Sequence, residues 1–167
     1  VNGTPVMRSM FVEFPDDPAC RTLDRQYMFG DSLLVAPIFK ESGEVQYYLP
    51  EGTWYNLITG VEVIGGKWQK ETHNYHSLPI MIRPNTILPL GTNDQRPDYD
   101  YADGVTLVVS SFTDGAETTV EIPDLKGETV MTATAKREGD QIRLKVRGGN
   151  GNYTVKSLSG MEVVVEE

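Results

Sequence analysis

The first quarter of the chain, residues 3–39, differs in pattern from everything that follows, and this contrast constrains the fold most. Residues 6–14 and 32–39 are nearly continuous apolar runs, which is typical of strands buried on both faces of a parallel sheet. Between them, Asp17 is suited to cap a helix that we predict over residues 19–28. A strand–helix–strand unit ahead of a β-rich chain is more consistent with the end of a larger α/β domain than with a complete domain.

The rest of the chain predicts short strands separated by Gly-, Asn- and Pro-containing turns. The segments predicted as strands are 44–49, 52–57, 61–64, 67–72, 78–83, 86–90, 105–112, 117–122, 130–136, 141–146, 153–158 and 162–165. Residues 129–136 and 139–146 alternate between apolar and polar side chains, which indicates a half-exposed hairpin. This spacing predicts a mainly β fold with two antiparallel β-sandwich domains in tandem.

A polar, Pro-containing segment over residues 91–103 separates the two blocks of predicted strands. We therefore expect three parts: residues 1–31 as the leading strand and helix, residues 32–91 as the first sandwich, and residues 92–167 as the second.

Charge and composition exclude several classes of protein. The formal net charge of −9 repels a phosphate backbone, so we expect no nucleic-acid partner. No apolar run is long enough to cross a bilayer and no signal peptide is recognisable, so we expect no membrane partner. The single cysteine, Cys20, excludes an internal disulfide and a cysteine-based zinc site, and suits a cytoplasmic location. The chain begins at Val1 and not at Met, which is consistent with a piece of a longer protein.

Three carboxylates, Glu13, Asp16 and Asp17, follow directly on the first predicted strand. Hydrolysis of a glycosidic bond needs two carboxyl groups, and α/β barrels build their active sites at strand ends. Capping of the next helix and solubility explain the same residues. The pattern favours this structural role over catalysis.

Two further groups of residues were considered as metal or catalytic sites. His73 and His76 lie in a polar loop without a third ligand nearby in the sequence, so a surface or hydrogen-bonding role is favoured. Four aspartates offer oxygen ligands without the spacing of a calcium loop: Asp94, Asp98, Asp100 and Asp103. We therefore predict no metal site and no cofactor.

The first block of strands is rich in aromatic residues, which are Tyr47, Tyr48, Trp54, Tyr55, Trp68 and Tyr75. Exposed rings of this kind serve as stacking platforms for sugars, because one face of a pyranose is apolar. Aromatic side chains in a small sandwich more often pack in the core or between domains. The alternatives to a structural role are a carbohydrate-binding module that uses Trp54 and Trp68, or a protein-interaction module.

Several segments of the chain resemble, in the same order, the C-terminal part of glycoside hydrolase family 31. These segments are GTPVMRSMFVEFPDDPAC, DRQYMFGDSLLVAPIF, YYLPEGTWYNLITG, GGKWQKETHNYHSLPIMIRPNTILPLG and NDQRPDY. They cover most of residues 3–100, whereas the last block of strands resembles the family only loosely. The segments are most similar to those of bacterial α-xylosidases, followed by α-glucosidases.

The resemblance implies that residues 1–31 are the last strand and helix of a catalytic (β/α)8 barrel, followed by a proximal and a distal sandwich. The whole enzyme would be a retaining α-glycosidase that removes terminal α-xylosyl or α-glucosyl residues from an oligosaccharide. Its aspartate nucleophile and aspartate acid/base would precede Val1, because no residue here matches the catalytic motifs.

The resemblance also implies a non-catalytic role in bracing the barrel, which would be the main partner of this chain. Glu13 and Phe14 would lie at the rim of the substrate pocket, since they follow a strand end. A homo-oligomer with subunit contacts through the sandwiches is an additional expectation.

Overall fold

The computed structural model describes residues 3–166 and is mainly β. In this part of the chain there are fifteen strands, a single-turn α-helix and one short 3₁₀ helix. The chain divides into two compact units, Val1–Arg83 and Pro84–Glu167, and each has its own apolar core.

The first unit contains eight strands and both helices among its described residues. The strands are β1 (Met7–Ser9), β2 (Tyr27–Phe29), β3 (Leu33–Val35), β4 (Glu44–Leu49), β5 (Thr53–Asn56), β6 (Glu62–Ile64), β7 (Lys67–Thr72) and β8 (Ile80–Ile82). The α-helix α1 spans Met10–Glu13, and the 3₁₀ helix spans Pro18–Thr22. The predicted strands over 44–49 and 67–72 are confirmed with their bounds.

All strand pairs of the first unit are antiparallel. Six strands form one sheet in the order β1-β2-β3-β8-β5-β6, and β4 and β7 form a separate two-stranded ribbon. The core of the unit contains side chains from both, including Leu34 and Met81 from the sheet and Tyr47 and Leu49 from the ribbon. The ribbon therefore covers one face of the sheet.

The prediction for the first quarter of the chain was wrong in its local structure. The strand expected over 6–14 ends at Ser9 and continues as α1, and β1 pairs antiparallel with β2. A short apolar run does not distinguish a strand from a turn of helix. Moreover, the run is not buried on both faces, because Met10 is buried while Phe11 and Val12 are exposed.

The helix expected over 19–28 was also wrong, because it is a 3₁₀ helix that ends at Thr22. Asp17 does cap it, since its Oδ1 accepts a hydrogen bond from the backbone N–H of Ala19 at 2.9 Å. Beyond it, the buried Gln26 amide bonds both to the backbone N–H and to the carbonyl of Tyr48, at 2.7 Å each. This tertiary pairing holds the chain extended before β2, which no local pattern reveals.

Gly43 joins the turn before β4 to the end of β7, and replacing it tests how tightly this junction is packed. A Cβ on Gly43 would lie 2.0 Å from the carbonyl oxygen of His73, whereas a Cβ on Gly60 would meet nothing within 4 Å. Both glycines have similar positive φ angles, 75° and 72°. Gly60→Ala therefore measures only the backbone cost, about 1–2 kcal/mol.

We expect Gly43→Ala to lower the free energy of unfolding by a further 1–3 kcal/mol or so, the usual cost of overpacking. The clash is with the backbone, and His73 cannot move away without breaking its N–H bond to the carbonyl of Gly43. Urea unfolding followed by tryptophan fluorescence checks this. Equal losses of unfolding free energy in the two variants would show that the backbone at this junction shifts without a measurable cost.

The second unit contains seven strands among its described residues. They are β9 (Ile87–Leu90), β10 (Val105–Val109), β11 (Glu117–Pro123), β12 (Thr129–Glu138), β13 (Gln141–Gly148), β14 (Tyr153–Ser157) and β15 (Glu162–Glu166). They form a three-stranded sheet, β14-β10-β9, and a four-stranded sheet, β11-β12-β13-β15. Side chains from both sheets meet in one core.

The expected hairpin of the second unit is confirmed, but its sheets are not purely antiparallel. In β12 and β13, Ala133, Ala135 and Leu144 point into the core, and they alternate with half-buried positions in β12 and with exposed positions in β13. However, β14 runs parallel to β10, and β15 runs parallel to β13. The chain crosses from β13 to β14 in the other sheet and then returns to β15, and such a crossover permits a parallel pair.

Candidate functional site

A groove of about 530 Å³ lies on the first unit, next to the segment that follows α1. It is lined by Glu13, Phe14, Pro15, Asp16, Asp17, Pro18, Tyr48, Pro50, Glu51 and Gly66. The helix α1 ends here because the N–H of Phe14 bonds back to the carbonyl of Met10 at 2.8 Å. The structure thus brings Glu13 and Phe14 to one end of β4.

The carboxylate of Glu13 lies between two arginines. Its Oε1 is 2.5 Å from Nε of Arg8, an ion pair whose angle does not satisfy a hydrogen bond. Its Oε2 accepts a hydrogen bond from Nη1 of Arg83 at 3.1 Å. Both oxygens of this carboxylate thus face a guanidinium, so the arrangement suits a structural anchor.

Arg8 extends this cluster to the loop before β3. Its Nη2 donates to Oδ1 of Asp31 at 2.7 Å and to the carbonyl of Gly30 at 2.8 Å. The hydrogen bond to Asp31 raises the pKa of the guanidinium, while burial opposes this. Sequence reasoning missed Arg8 and Arg83, because Arg83 lies 70 positions from its partner Glu13. A buried-strand arginine such as Arg8 is the signal that points to a cluster of this kind.

Phe14 is packed from two sides. Its ring centroid lies 6.4 Å from that of Trp54, and the guanidinium carbon of Arg83 lies 5.2 Å from the same ring centroid. Contacts of this kind, an aromatic pair and a cation over a ring, hold the ring in one orientation. Phe14 is therefore part of the wall of the groove.

The two aspartates that follow have different surroundings. Asp17 caps the 3₁₀ helix and also accepts a hydrogen bond from the Tyr48 hydroxyl. Burial, and then this bond to Asp17, raise the pKa of Tyr48. Asp16 is exposed and has no hydrogen bond or ion pair within the described residues. Of these two aspartates, Asp17 has the expected capping role and Asp16 does not.

The histidine loop forms a hydrogen-bonded chain of side chains. The Tyr47 hydroxyl donates to Oε1 of Glu71 at 2.6 Å, and Nε2 of His73 lies 2.7 Å from Oε2 of the same carboxylate. Nδ1 of His73 lies 3.0 Å from Oγ of Ser77. His73 is thus fully engaged, and His76 lies on the exposed part of the loop.

The acidic segment is held by local hydrogen bonds. Oδ1 of Asp103 accepts hydrogen bonds from the amides of Asn150 and Asn152, at 2.8 Å each, and these bonds lower the pKa of Asp103. Oδ1 of Asp100 accepts from the N–H of Ala102 at 3.0 Å. Across residues 3–166, no three His, Cys, Asp or Glu side chains come together in a way that would hold a metal ion.

The thiol of Cys20 is buried in the first core. Burial, followed by the charge of Asp17, raises its pKa to about 11. The thiol therefore stays protonated near neutral pH and has no nucleophilic character.

The aromatic residues of the first unit separate into a buried and an exposed set. Trp54 is 1% exposed, and its indole N–H donates to the carbonyl of Pro50 at 2.8 Å. The alternative in which Trp54 and Trp68 together form a sugar platform therefore does not hold for Trp54, which packs in the core as the favoured interpretation expected. Trp68 is 59% exposed on β7, and Tyr75 is fully exposed in the histidine loop.

No helix found between residues 3 and 166 combines the length and the apolar character that spanning a membrane requires.

Two family models match the chain in succession. Residues 3–88 match the glycosyl hydrolase family 31 C-terminal domain, and residues 100–167 match the C-terminal domain of the alpha-xylosidase YicI.

Relatives and solved structures agree with these matches. An alpha-xylosidase from Emericella nidulans is 37% identical over 167 aligned residues, which cover 90% of this chain and 21% of the relative. The alpha-xylosidase XylQ from Lactiplantibacillus pentosus is 32% identical over 156 residues, which cover 92% and 20%. A solved alpha-xylosidase of the family from Xanthomonas citri superposes with a TM-score of 0.68 at 26% identity, covering 96% of this chain and 18% of that one.

The chain spans about a fifth of the length of the relatives it matches. One family model covers more than half of the chain, and the second follows it in order. The chain therefore belongs to glycoside hydrolase family 31 and corresponds to the C-terminal domains of its α-xylosidases and α-glucosidases.

Proposed function

We propose that this chain is the non-catalytic C-terminal region of a retaining α-glycosidase and braces its catalytic barrel. The whole enzyme would hydrolyse terminal α-xylosyl residues, with α-glucosyl residues as the second candidate. The order of preference is supported by the match of residues 100–167 to an α-xylosidase domain and by the two α-xylosidases among the relatives.

An exposed apolar patch on the first unit carries the bracing role. It consists of side chains from β1, α1, β2 and the residue before β1: Val6, Met7, Phe11, Val12 and Phe29. Met7 and Phe29 are direct cross-strand partners. Contiguous apolar surface of this kind marks an interaction site in soluble proteins.

The occupant that fits this patch is the catalytic barrel of the same enzyme. The resemblance to the family implies that most of the barrel precedes Val1, and the two α-xylosidases named above are about five times as long as this chain. The patch is formed by the elements that follow that point. An apolar contact there would fix the barrel against the first unit.

We propose the domain organisation as well: a leading segment over residues 1–31, followed by two sandwich domains in tandem over residues 32–91 and 92–167. Two observations bear on residues 1–31, which the resemblance assigns to the barrel. The family model of the C-terminal domain begins at residue 3, and β1 and β2 continue the sheet of β3 and β8. Both favour grouping this segment with the first sandwich.

We also propose that Glu13 and Phe14 lie at the rim of the substrate pocket in the whole enzyme. Both line an open groove, and both are held in place by Arg83. Because Glu13 is paired with two arginines, its role there would be positioning. The acid and the nucleophile would come from the barrel.

Subunit contacts through the sandwiches remain a prediction. The surface that supports them is the exposed apolar edge at β6, with Ile58, Val61 and Ile64. β6 is the end strand of its sheet, and an open edge can pair with another chain.

The bracing role is tested in the whole enzyme with Phe11→Ser. We expect a lower thermal midpoint and a lower kcat, because a polar side chain weakens an apolar contact that holds the barrel. Phe39→Ser is the matched control, since Phe39 is 68% exposed against 55% for Phe11 and lies outside the patch. Thermal unfolding and hydrolysis of nitrophenyl α-xyloside and α-glucoside are the measurements.

Two results would contradict the proposal. The first is equal behaviour of Phe11→Ser and Phe39→Ser in the whole enzyme. The second is hydrolysis of either glycoside by this chain alone, for which we expect no turnover.

A further inference from the structure

Trp68 is an exposed aromatic ring on the two-stranded ribbon of β4 and β7. It is the direct cross-strand partner of Tyr48, and the two ring centroids lie 5.8 Å apart at an angle of 59°. Tyr48 is buried, while 59% of the Trp68 surface is open to solvent. The contact with Tyr48 accounts for one part of this indole, and the core does not bury the rest.

The Trp68–Tyr48 pair borders the groove described above. Tyr48 lines this groove, as do Pro50 and Gly66, which lie just beyond the ends of the two ribbon strands. The groove volume of about 530 Å³ lies within the range of about 300–1,000 Å³ typical of ligand sites. Trp68 itself does not line the groove, but its ring contacts Tyr48, which does, so the exposed ring lies next to the groove.

The groove offers hydrogen-bond acceptors that have no partner in the protein. Asp16 and Glu51 line it, and neither has a hydrogen bond or a cation partner among residues 3–166. Asp17 adds a third carboxylate, and it already accepts a bond from the Tyr48 hydroxyl. Ligand hydroxyls that donate to free carboxylates form charge-assisted hydrogen bonds.

We propose that this surface is an oligosaccharide-binding site, in which the apolar face of one pyranose stacks on Trp68. The hydroxyls of the next residue donate to Asp16 and Glu51 in the groove. Trp68, Asp16 and Glu51 all belong to this chain, and none of them takes part in the hydrolysis proposed for the barrel. The groove also holds Glu13 and Phe14, so the site lies beside the proposed rim of the substrate pocket. The choice of α-linked gluco- and xylo-oligosaccharides as ligands rests on the proposed function.

A cationic peptide is the competing ligand, because its cations also bind to aromatic rings and carboxylates. Lys67 is the neighbour of Trp68 on β7, whereas the charge of Lys70 is taken up by an ion pair with Glu44 at 2.6 Å. The ammonium of Lys67 repels a cation from the ring but does not affect a neutral sugar. The chemistry of the surface therefore favours the sugar.

The test is a titration of the whole 167-residue chain, labelled with ¹⁵N, with maltotriose and with a xylosylated gluco-oligosaccharide. We expect saturable shifts of the Trp68 indole signal and of the amides of residues 48–51 and 66–68 at millimolar sugar. Trp68→Ala should weaken binding at least about tenfold, which corresponds to about 1.4 kcal/mol. Asp16→Asn should weaken it less, since the amide oxygen still accepts a hydrogen bond.

Tyr75→Ala is the control, because Tyr75 is fully exposed on another loop, and it should leave the affinity unchanged. The inference is overturned if no sugar causes saturable shifts, if Trp68→Ala binds as well as the unaltered chain, or if only an arginine-rich peptide binds. Since no catalysis is measured, these failures leave the proposed function standing. Failure of the bracing test would likewise leave sugar binding intact.

Discussion

Removal of residues 1–31 is expected to unfold the first unit. The deletion takes away β1 and β2, which lie at one end of the six-stranded sheet, and the core side chains Met10, Cys20 and Met28. Burial of each methionine is worth about 1.5–3 kcal/mol, and whole domains are stable by only about 5–15 kcal/mol. The deletion therefore removes a large part of the free energy that stabilises the unit.

Tryptophan fluorescence measures this selectively, because both tryptophans, Trp54 and Trp68, lie in the first unit. In urea, the shortened chain should lack the cooperative fluorescence transition of the full chain. Removal of residues 1–5 alone is the control and should preserve it, because β1 begins at Met7. A normal transition after removal of 1–31 would mean that these residues are a separable remnant of the barrel.

Trp54→Ala is expected to be the most destabilising single substitution that we propose. Trp54 is a large buried side chain that contacts Phe14 and donates a hydrogen bond to Pro50. Truncation of a buried tryptophan typically costs about 3–5 kcal/mol, since it removes apolar contacts and leaves a cavity. Urea unfolding followed by the fluorescence of the remaining tryptophan measures the loss.

Trp68→Ala provides the matched comparison, with the same chemical change in the same unit. Because Trp68 is largely exposed but its ring contacts Tyr48, we expect the free energy of unfolding to fall by about 0.5–1.5 kcal/mol, the usual contribution of an aromatic pair. The buried Trp54 thus tests stability, and the exposed Trp68 tests binding. Similar losses in both variants would contradict the burial on which the sugar site depends.

The family and the β-rich blocks were accessible from the sequence, and the local structure of the first quarter was not. The strands over 44–49 and 67–72 and the hairpin of β12 and β13 follow alternating patterns, and the structure confirms them. Residues 19–28 follow a helix-capping residue, Asp17, and the helix nevertheless ends at Thr22. There the Gln26 amide pairs with the Tyr48 backbone, a contact across 22 positions that outweighs local propensity.

The groove, too, could be predicted only in part from the sequence. Glu13, Phe14, Asp16 and Asp17 were singled out by their place after an apolar run, and the structure puts all four along one groove. Arg8 and Arg83, which form ion pairs with Glu13, were not predicted, because an ion pair between residues distant in sequence leaves no local pattern. Nor were Trp54 and Trp68 told apart from the sequence, although the charged strand β7 (KWQKET) differs in composition from β5 (TWYN).

The sequence by itself determined the family, the mainly β character and the turn positions, because these depend on local pattern and on ordered motifs. The tertiary structure alone decided that the first quarter pairs antiparallel within the first sheet, that Glu13 lies between Arg8 and Arg83, and that one tryptophan is buried and the other open. The physical reason is that pairing, charge neutralisation and burial are properties of residues distant in sequence. They exist only once the chain brings those residues together.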